Sequence, residues 1–485
     1  MSTILQISSV PPYKRAPFLI ALVGTSLAIS LLYTPLPVVL LLAVPFFFYF
    51  IPRPFDLLLM MVFLIPFNFV FTIGSIPVAF ELLKIVLWIP FLLSRHEHGH
   101  SLQTIRTSRY NWCFGILIGL SLLSVLRSQE LPFTVKEVVR FLSNIGLYYL
   151  VLNLVDSREK VTQILRVLMI SVFIVACYGF YQFVIQDYGA LFWIVNPRLN
   201  TSVAHYRDIF WPWRNRMISV LTSEMEMGHY FNLCLPIAVA LWLSEGRGRL
   251  YSKWLMIAVA IFAGLLLTFT FAAWLALAAT GTLFVLLFDK KRRWKLAFGE
   301  LMTLVVAILL CVYGPLRPLV EDRLFGSSQA SLGFDILTRL RMWIFAIQTW
   351  WSHPFIGVGL GNYQNLSWVV NFGQTTDISS NAGSTPHQFY LNLLVTLGVV
   401  GTVCIVLVML SSIRTNVGLR ASPQFGLLAL AFAFAITTNM FGGFGDDSNM
   451  FSPHAGYLLW MLLGLSETLH ILAAQQTADH KIAIL

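Results

Sequence analysis

The chain has 485 residues, of which 57% are apolar, 14% are aromatic and only 11% are charged. Soluble domains carry roughly 25% charged residues, and a chain of mean hydropathy +0.76 has more apolar surface than a water-soluble core can bury. The composition therefore excludes a soluble enzyme, a disordered scaffold and a secreted disulfide framework, while the net charge of +10 has to be interpreted by its placement along the chain.

Long apolar runs dominate the sequence in chain order, and about 20 apolar residues are enough to span a bilayer as a helix. We identify fourteen such runs, some of them short or adjoining. They lie near 17–33, 35–51, 56–73, 77–94, 111–127, 135–154, 162–186, 227–244, 254–270, 272–288, 297–314, 387–410, 424–440 and 454–473. The sequence predicts an all-α polytopic membrane protein with about 12–14 transmembrane helices.

The positive charges alternate between loops. Lys14 and Arg15 precede the first run, and every second loop after it contains Lys or Arg, most densely at 290–295. Because cytoplasmic loops collect these residues, both termini are predicted to be cytoplasmic. The membrane topology thus accounts for most of the excess of Lys and Arg, and no nucleic-acid partner is expected.

The runs and loops predict five segments. These are N-terminal transmembrane helices at 1–186, a first outward loop at 187–226, central transmembrane helices at 227–314, a large and partly helical outward loop at 315–386, and C-terminal transmembrane helices at 387–485.

Both outward loops are basic, and their basic residues are all arginine. They are Arg198, Arg207, Arg214 and Arg216 in the first loop and Arg317, Arg323, Arg339 and Arg341 in the second. Guanidinium groups offer a planar set of donors that matches phosphate and carboxylate, so the outward surface is a candidate anion site. The alternative is that the arginines pair with neighbouring acids. Glu224 in particular is either the partner of Arg216 or a second proton acceptor.

The second outward loop contains a helical pattern from Asp335 to Trp351. Arg339, Trp343, Ala346 and Trp350 share one face at i, i+4, i+7 and i+11. Tryptophan favours the headgroup level of a bilayer, so this interfacial helix is predicted to hold Arg339 at the depth of lipid phosphates. The alternative is an interfacial helix whose arginines only snorkel.

The last outward loop before the C-terminal spans ends at a histidine. Ser384 or Thr385 can cap the next helix, and Pro386 suits its first turn, which would also contain His387. The positive end of the helix dipole disfavours imidazolium there. A neutral His387 able to accept a proton is therefore expected.

Glycine-rich stretches and metal patterns complete the survey. Pro354 to Gly361 predicts a tight backbone turn, and 442–447 predicts a short outward turn with an acidic lip at Asp446 and Asp447. The five cysteines and the His96, His98 and His100 group lack metal-ligand spacing. Neither a metal nor another cofactor is expected.

Three motifs between residues 210 and 410 carry a family resemblance. They are Arg339-x-x-x-Trp343 running into Pro354-x-x-Gly357-x-Gly359-x-Gly361, His387-x-x-Tyr390 continuing to Gly398-x-x-Gly401, and Arg216 ahead of the span near Met227. Together they resemble the O-antigen ligase and polymerase superfamily of bacterial envelope glycosyltransferases. Where members of that superfamily often have an arginine after a threonine pair, this chain has Phe271.

The resemblance implies a multi-pass protein of the bacterial cytoplasmic (inner) membrane whose active site faces the periplasm or cell exterior. Such an enzyme passes a glycan from an undecaprenyl-pyrophosphate carrier to the hydroxyl of an acceptor glycan or glycolipid, and membrane lipid surrounds it. The functional arginines of the family correspond to Arg216 and Arg339, and its histidine corresponds to His387. Arg207, Arg214, Glu224, Arg341 and Trp343 are the further candidates for substrate binding.

The chemistry of these residues agrees with that activity. Fixed arginines would stabilise charge on the departing pyrophosphate without a metal, and His387 would take the proton of the acceptor. Two alternatives stay open. A polymerase would join lipid-linked repeat units, and a small-anion transporter would also need many spans and arginines.

Overall fold

The computed structural model describes most of the chain after residue 52. The described residues are 53–67, 71–73, 76–78, 80–97, 106–128, 130–185, 216–221, 223–245, 248–288, 332–363, 366, 385–447, 452 and 454–484. The predicted spans at 17–33, 35–51 and 297–314, together with Arg207, Arg214, His98 and His100, lie outside these residues.

The described part of the chain is α-helical apart from one short hairpin. The helices are α1 (Pro54–Leu64), α2 (Phe80–Glu97), α3 (Asn111–Leu126), α4 (Leu131–Leu154), α5 (Arg158–Ile185), α6 (Glu224–Ser244), α7 (Lys253–Leu267), α8 (Phe271–Phe288), α9 (Leu332–Ser352), α10 (Phe389–Gly418), α11 (Gly426–Gly442) and α12 (Ala455–Ile484). Short 3₁₀ turns follow α1 at Ile65–Phe67 and α10 at Leu419–Ala421.

The all-α polytopic prediction is confirmed by this architecture. Among the described residues, four helices are long and apolar enough to cross a membrane: Arg158–Ile185, Glu224–Ser244, Phe389–Ala421 and Ala455–Thr477. Shorter apolar helices include α3, α7, α8 and α11. Each of these helices coincides with a predicted span to within a few residues, except that α10 and α12 run further towards their C-terminal ends.

One predicted span is wrong. The run 56–73 was expected to be a continuous helix, but α1 ends at Leu64 and residues 71–73 form a strand. That strand pairs antiparallel with Ile76–Val78, with Phe71 opposite Val78. Pro66, which cannot donate a backbone hydrogen bond, lies in the 3₁₀ turn where α1 ends, and proline disfavours continuation of a helix.

The chain divides into two compact units. The first comprises 1–61 and 69–105, and the second comprises 62–68 and 106–485. In the second unit α6 packs against α7 and α11, α4 packs against α12, and α9 packs against α10. Tyr148, Phe114 and Trp460 fill its interior as a cluster of edge-on and tilted rings. All the described candidate site residues belong to this unit.

The glycine-rich segment after α9 inserts into an interruption of α10. Gly398 leaves helical geometry inside α10 with φ +66°. The backbone N–H groups of Val358 and Gly359 bond to the carbonyls of Val395 and Thr396 (2.8 and 3.0 Å), while that of Val399 bonds back to Pro354 O (2.9 Å). Two of the sequence motifs are thus joined by backbone hydrogen bonds.

Candidate functional site

The loop 443–447, which follows α11, connects the main candidate residues. Gly443 O accepts a hydrogen bond from the backbone N–H of Phe389 at the start of α10 (2.9 Å). Gly445 O accepts one from Nη1 of Arg339 on α9 (2.6 Å). The carboxylates of the next two residues face His387, which precedes α10. One short loop therefore brings Arg339 and His387 into a common network.

His387 lies just before α10 rather than in its first turn. The helix begins at Phe389, and the side chain of Gln388 accepts a hydrogen bond from Leu391 N as its cap. The expected capping by Thr385 is therefore wrong, and Ser384 lies outside the described residues. His387 has φ +49°, a left-handed conformation uncommon outside glycine. The indole N–H of Trp343 bonds to Pro386 O (3.0 Å), so α9 fixes the chain beside the histidine.

Two carboxylates lie beside the imidazole of His387. Its Nδ1 is 3.9 Å from Asp446 Oδ1 and 3.8 Å from Asp447 Oδ1. Burial raises the pKa of the Asp447 carboxyl, and the charge of Asp446 raises it further, while His387 and a hydrogen bond from Thr385 oppose both effects. Asn392 donates to Asp447 Oδ2 at 3.3 Å. The Asp447 carboxyl is thus held by Asn392, whereas about a third of the His387 side chain remains accessible.

Asp446 also faces a second, buried histidine. Its Oδ2 is 3.4 Å from Nε2 of His229 on α6, and both side chains are buried. Gly442 makes room for this ring, since a Cβ at Gly442 would stand 2.5 Å from His229 Cε1. A second buried carboxylate–histidine pair also involves α6. Glu226 of this helix accepts a hydrogen bond from Nδ1 of His454, which precedes α12 (2.7 Å).

Arg216 also contacts α6, at the first residue of that helix. Its Nη1 bonds to Glu224 Oε1 at 2.8 Å, so of the two alternatives for Glu224 the structure shows the pairing with Arg216. Glu224 is the first residue of α6, and its carbonyl accepts from Thr270 Oγ1 (3.0 Å). The side chain of Ser223 caps the helix by accepting from Glu226 N. Arg216 is therefore attached to the first turn of α6, whose next turn carries His229.

The predicted face of α9 is observed, but it packs on protein rather than on lipid. Ala346 is buried, Trp343 donates to Pro386 O, and Trp350 donates to Pro354 O (3.1 Å). Among the described residues, Arg339 donates a hydrogen bond to the backbone carbonyl of Gly445. Arg341 lies on a different side of the helix, where it is exposed.

The cluster at His387 is also the one place among the described residues where metal-ligating atoms converge. One donor atom each from His387, Asp446 and Asp447 lie within 4.8 Å of one another. Sequence reasoning noticed the two aspartates as an acidic lip and missed their contact with the histidine. The buried His229, Glu226 and His454 were missed as well, although ionisable residues inside apolar runs are a recognisable signal.

Comparison with known proteins identifies part of the chain. Residues 256–406 match a family model described as O-antigen ligase. This part of the chain is therefore similar to O-antigen ligases. No curated protein gives a significant match.

The matched region covers most of α7, all of α8 and α9, and more than half of α10, so it includes Arg339, His387 and Gly398. Arg216 and the loop 443–447 lie outside it. The match supports a ligase- or polymerase-type glycan-processing membrane enzyme whose substrates are lipid-linked glycans. Together with the four candidate spans, it supports a multi-pass protein of the bacterial inner membrane.

Proposed function

We propose that this protein is a glycosyltransferase of the ligase type. It moves a glycan from an undecaprenyl-pyrophosphate carrier to the hydroxyl of an acceptor glycan or glycolipid, at the outer face of the cytoplasmic membrane. The observation that carries the proposal is the loop 443–447, which contacts both Arg339 and His387 in the same unit as the region that matches the O-antigen ligase family model.

His387 is proposed as the general base. Its imidazole takes the proton of the acceptor hydroxyl as that oxygen attacks the anomeric carbon of the glycan. The new C–O bond forms while the bond from the anomeric carbon to the pyrophosphate oxygen breaks, and undecaprenyl pyrophosphate leaves. Asp446 and Asp447 lie on the Nδ1 side of the ring, where a carboxylate orients an imidazole and stabilises it once protonated.

Arg339 and Arg216 are proposed to stabilise the charge that develops on the departing pyrophosphate. Each uses Nη1 within the protein, Arg339 on Gly445 O and Arg216 on Glu224. Such fixed donors are worth more where water is excluded, because they need no reorganisation during the reaction. Glu224 and Trp343 are proposed to position this pocket, and Arg207, Arg214 and Arg341 to contribute further contacts to the anionic substrate.

The test is transfer by the purified full-length protein in nanodiscs, supplied with a lipid-pyrophosphate glycan and candidate acceptors, with product mass as the readout. His387→Ala is expected to lower turnover about 10²- to 10⁴-fold, the usual contribution of a general base. The control is His353→Ala, which changes an exposed histidine after α9. Full turnover in His387→Ala would remove the assigned base.

Chelation tests the proposed role of the arginines. Since guanidinium groups are proposed to neutralise the pyrophosphate, EDTA should leave the rate of transfer unchanged. A rate lost in EDTA and restored by a divalent cation would contradict this proposal and would point to a metal on His387, Asp446 and Asp447 instead. Asp446→Asn would then weaken the response to the cation.

The size of the product separates ligase from polymerase. A ligase attaches one preformed glycan to an acceptor that lacks the carrier lipid. A polymerase joins two lipid-linked units and gives a ladder of products that keep the carrier. We expect a single mass increment on an acceptor that lacks the carrier lipid; a ladder of products that forms without such an acceptor would favour the polymerase.

A further inference from the structure

In the part of the chain that the structure describes, one side of the α9 helix carries an exposed apolar stripe. Leu340, Ile344, Ile347 and Trp351 are 44 to 75% exposed. At about 100° per residue these four positions fall within about 60° of arc. The face that packs on protein, with Trp343, Ala346 and Trp350, is centred roughly a quarter-turn away.

A polar stripe completes the exposed half of α9. Arg341, Gln348 and Ser352 are exposed and recur at i, i+7 and i+11, which again places them within a narrow arc, next to the apolar stripe. The helix therefore has three separate sides: one on protein, one apolar and one polar. A helix that projected into water would not need the apolar side, and one that crossed the bilayer would not keep the polar side.

The apolar stripe continues onto a membrane-spanning helix. Phe355, beyond the end of α9, is 70% exposed, and its carbonyl accepts a hydrogen bond from Val400 N of α10 (3.2 Å). Val399 and Val400 are exposed in turn, as are Val403 and Leu407 further along α10. Because the segment Phe389–Ala421 is a candidate span, lipid is the occupant that can cover this surface without a break.

We propose that α9 lies in the membrane surface, with Leu340, Ile344, Ile347 and Trp351 inserted at the boundary between headgroups and acyl chains. The polar stripe faces water, and the protein-facing stripe holds the loop 443–447 through Arg339. The helix thereby sets the depth of Arg339 relative to the bilayer. The next step rests on the proposed function: at this depth, Arg339 lies level with the pyrophosphate of a lipid-linked donor.

Site-specific photo-crosslinking tests the orientation of α9. The full-length protein is placed in phosphatidylethanolamine and phosphatidylglycerol nanodiscs without donor or acceptor. The photoreactive residue p-benzoylphenylalanine replaces Ile344, Ile347 or, as the matched control, Gln348. Mass spectrometry after irradiation should find lipid adducts about fivefold or more enriched at Ile344 and Ile347 over Gln348, as expected for buried against water-facing positions of an interfacial helix.

Two results would overturn the proposal: equal lipid labelling at all three positions, or crosslinked pairs of chains at Ile344 and Ile347, which would show that a second copy covers the stripe. If the photoreactive variants fail to fold, quenching by lipids brominated near the headgroup gives an independent readout. Trp351→Phe should then remove part of the quenching, and unchanged quenching would contradict insertion. Neither measurement involves glycan transfer, so failure here is distinct from failure of the proposed function.

Discussion

Asp447 illustrates how much of this site depends on single buried side chains. It comes from the loop after α11, faces His387 at 3.8 Å and accepts a hydrogen bond from Asn392. Burial raises the pKa of its carboxyl, so the folded chain binds this proton more tightly than the unfolded chain does. The contribution of this carboxyl to the free energy of unfolding is therefore greatest at acidic pH. It declines as the pH rises above the ordinary aspartate pKa of about 4.

Asp447→Asn removes that titration. The Tm of the variant relative to the unmodified protein should therefore rise between about pH 4 and pH 7. Unfolding of the detergent-purified proteins can be followed by intrinsic fluorescence across this range. Asp156→Asn, which changes an exposed partner of Lys160, is the control and should show little trend. A relative Tm that fell with pH would contradict the assigned direction of the shift.

At the scale of elements, the interruption of α10 and the turn after α9 form one unit of structure. Gly357 has φ +66°, and a Cβ there would stand 2.6 Å from the carbonyl of Thr396. Gly398 has φ +66° as well, and a Cβ there would overlap the backbone of Phe355. Both positions need glycine for two reasons, the left-handed backbone and the close approach of another chain segment.

Gly398→Ala should consequently destabilise the protein by on the order of 3 kcal/mol or more, because neither strain nor backbone overlap can be relieved locally. Gly418→Ala is the matched control on the same helix, since nothing lies within 4 Å of the added methyl group. Thermal unfolding and the yield of monodisperse protein are the measurements. Equal stability of the two variants would show that the two segments are not held as described.

At the scale of the whole molecule, a buried hydrogen-bonded pair connects segments that are far apart in sequence. Glu226 at the start of α6 accepts hydrogen bonds from both the backbone N–H and the Nδ1 of His454, which precedes α12. Both side chains are buried. Removing one partner of such a pair leaves a buried polar group without compensation.

Glu226→Ala is therefore expected to cost about 3 to 5 kcal/mol of stability. Glu245→Ala, at the other end of α6, breaks the exposed pair with Arg166 and should cost no more than about 1 kcal/mol. Denaturation of both variants in the same detergent gives the comparison. Similar losses for the two would mean that the buried pair does not hold α6 to the segment before α12.

The sequence by itself determined the membrane class, most helices of the described part and the two motifs around Arg339 and His387. These depend on composition and local spacing, because a helix must satisfy its own backbone in lipid and apolar length sets its span. The pairing of Arg216 with Glu224 was likewise one of the alternatives that the sequence offered, because the two residues lie close together in the chain.

Only the tertiary structure decided which side chains from distant segments of the chain contact one another. The contact of Asp446 with His387 and His229, the exit of His387 from the helix, and the packing of Trp343 and Trp350 on protein depend on segments far apart in the chain. Periodicity defines the sides of a helix but not which neighbour each side meets, because that neighbour is chosen when distant helices pack together.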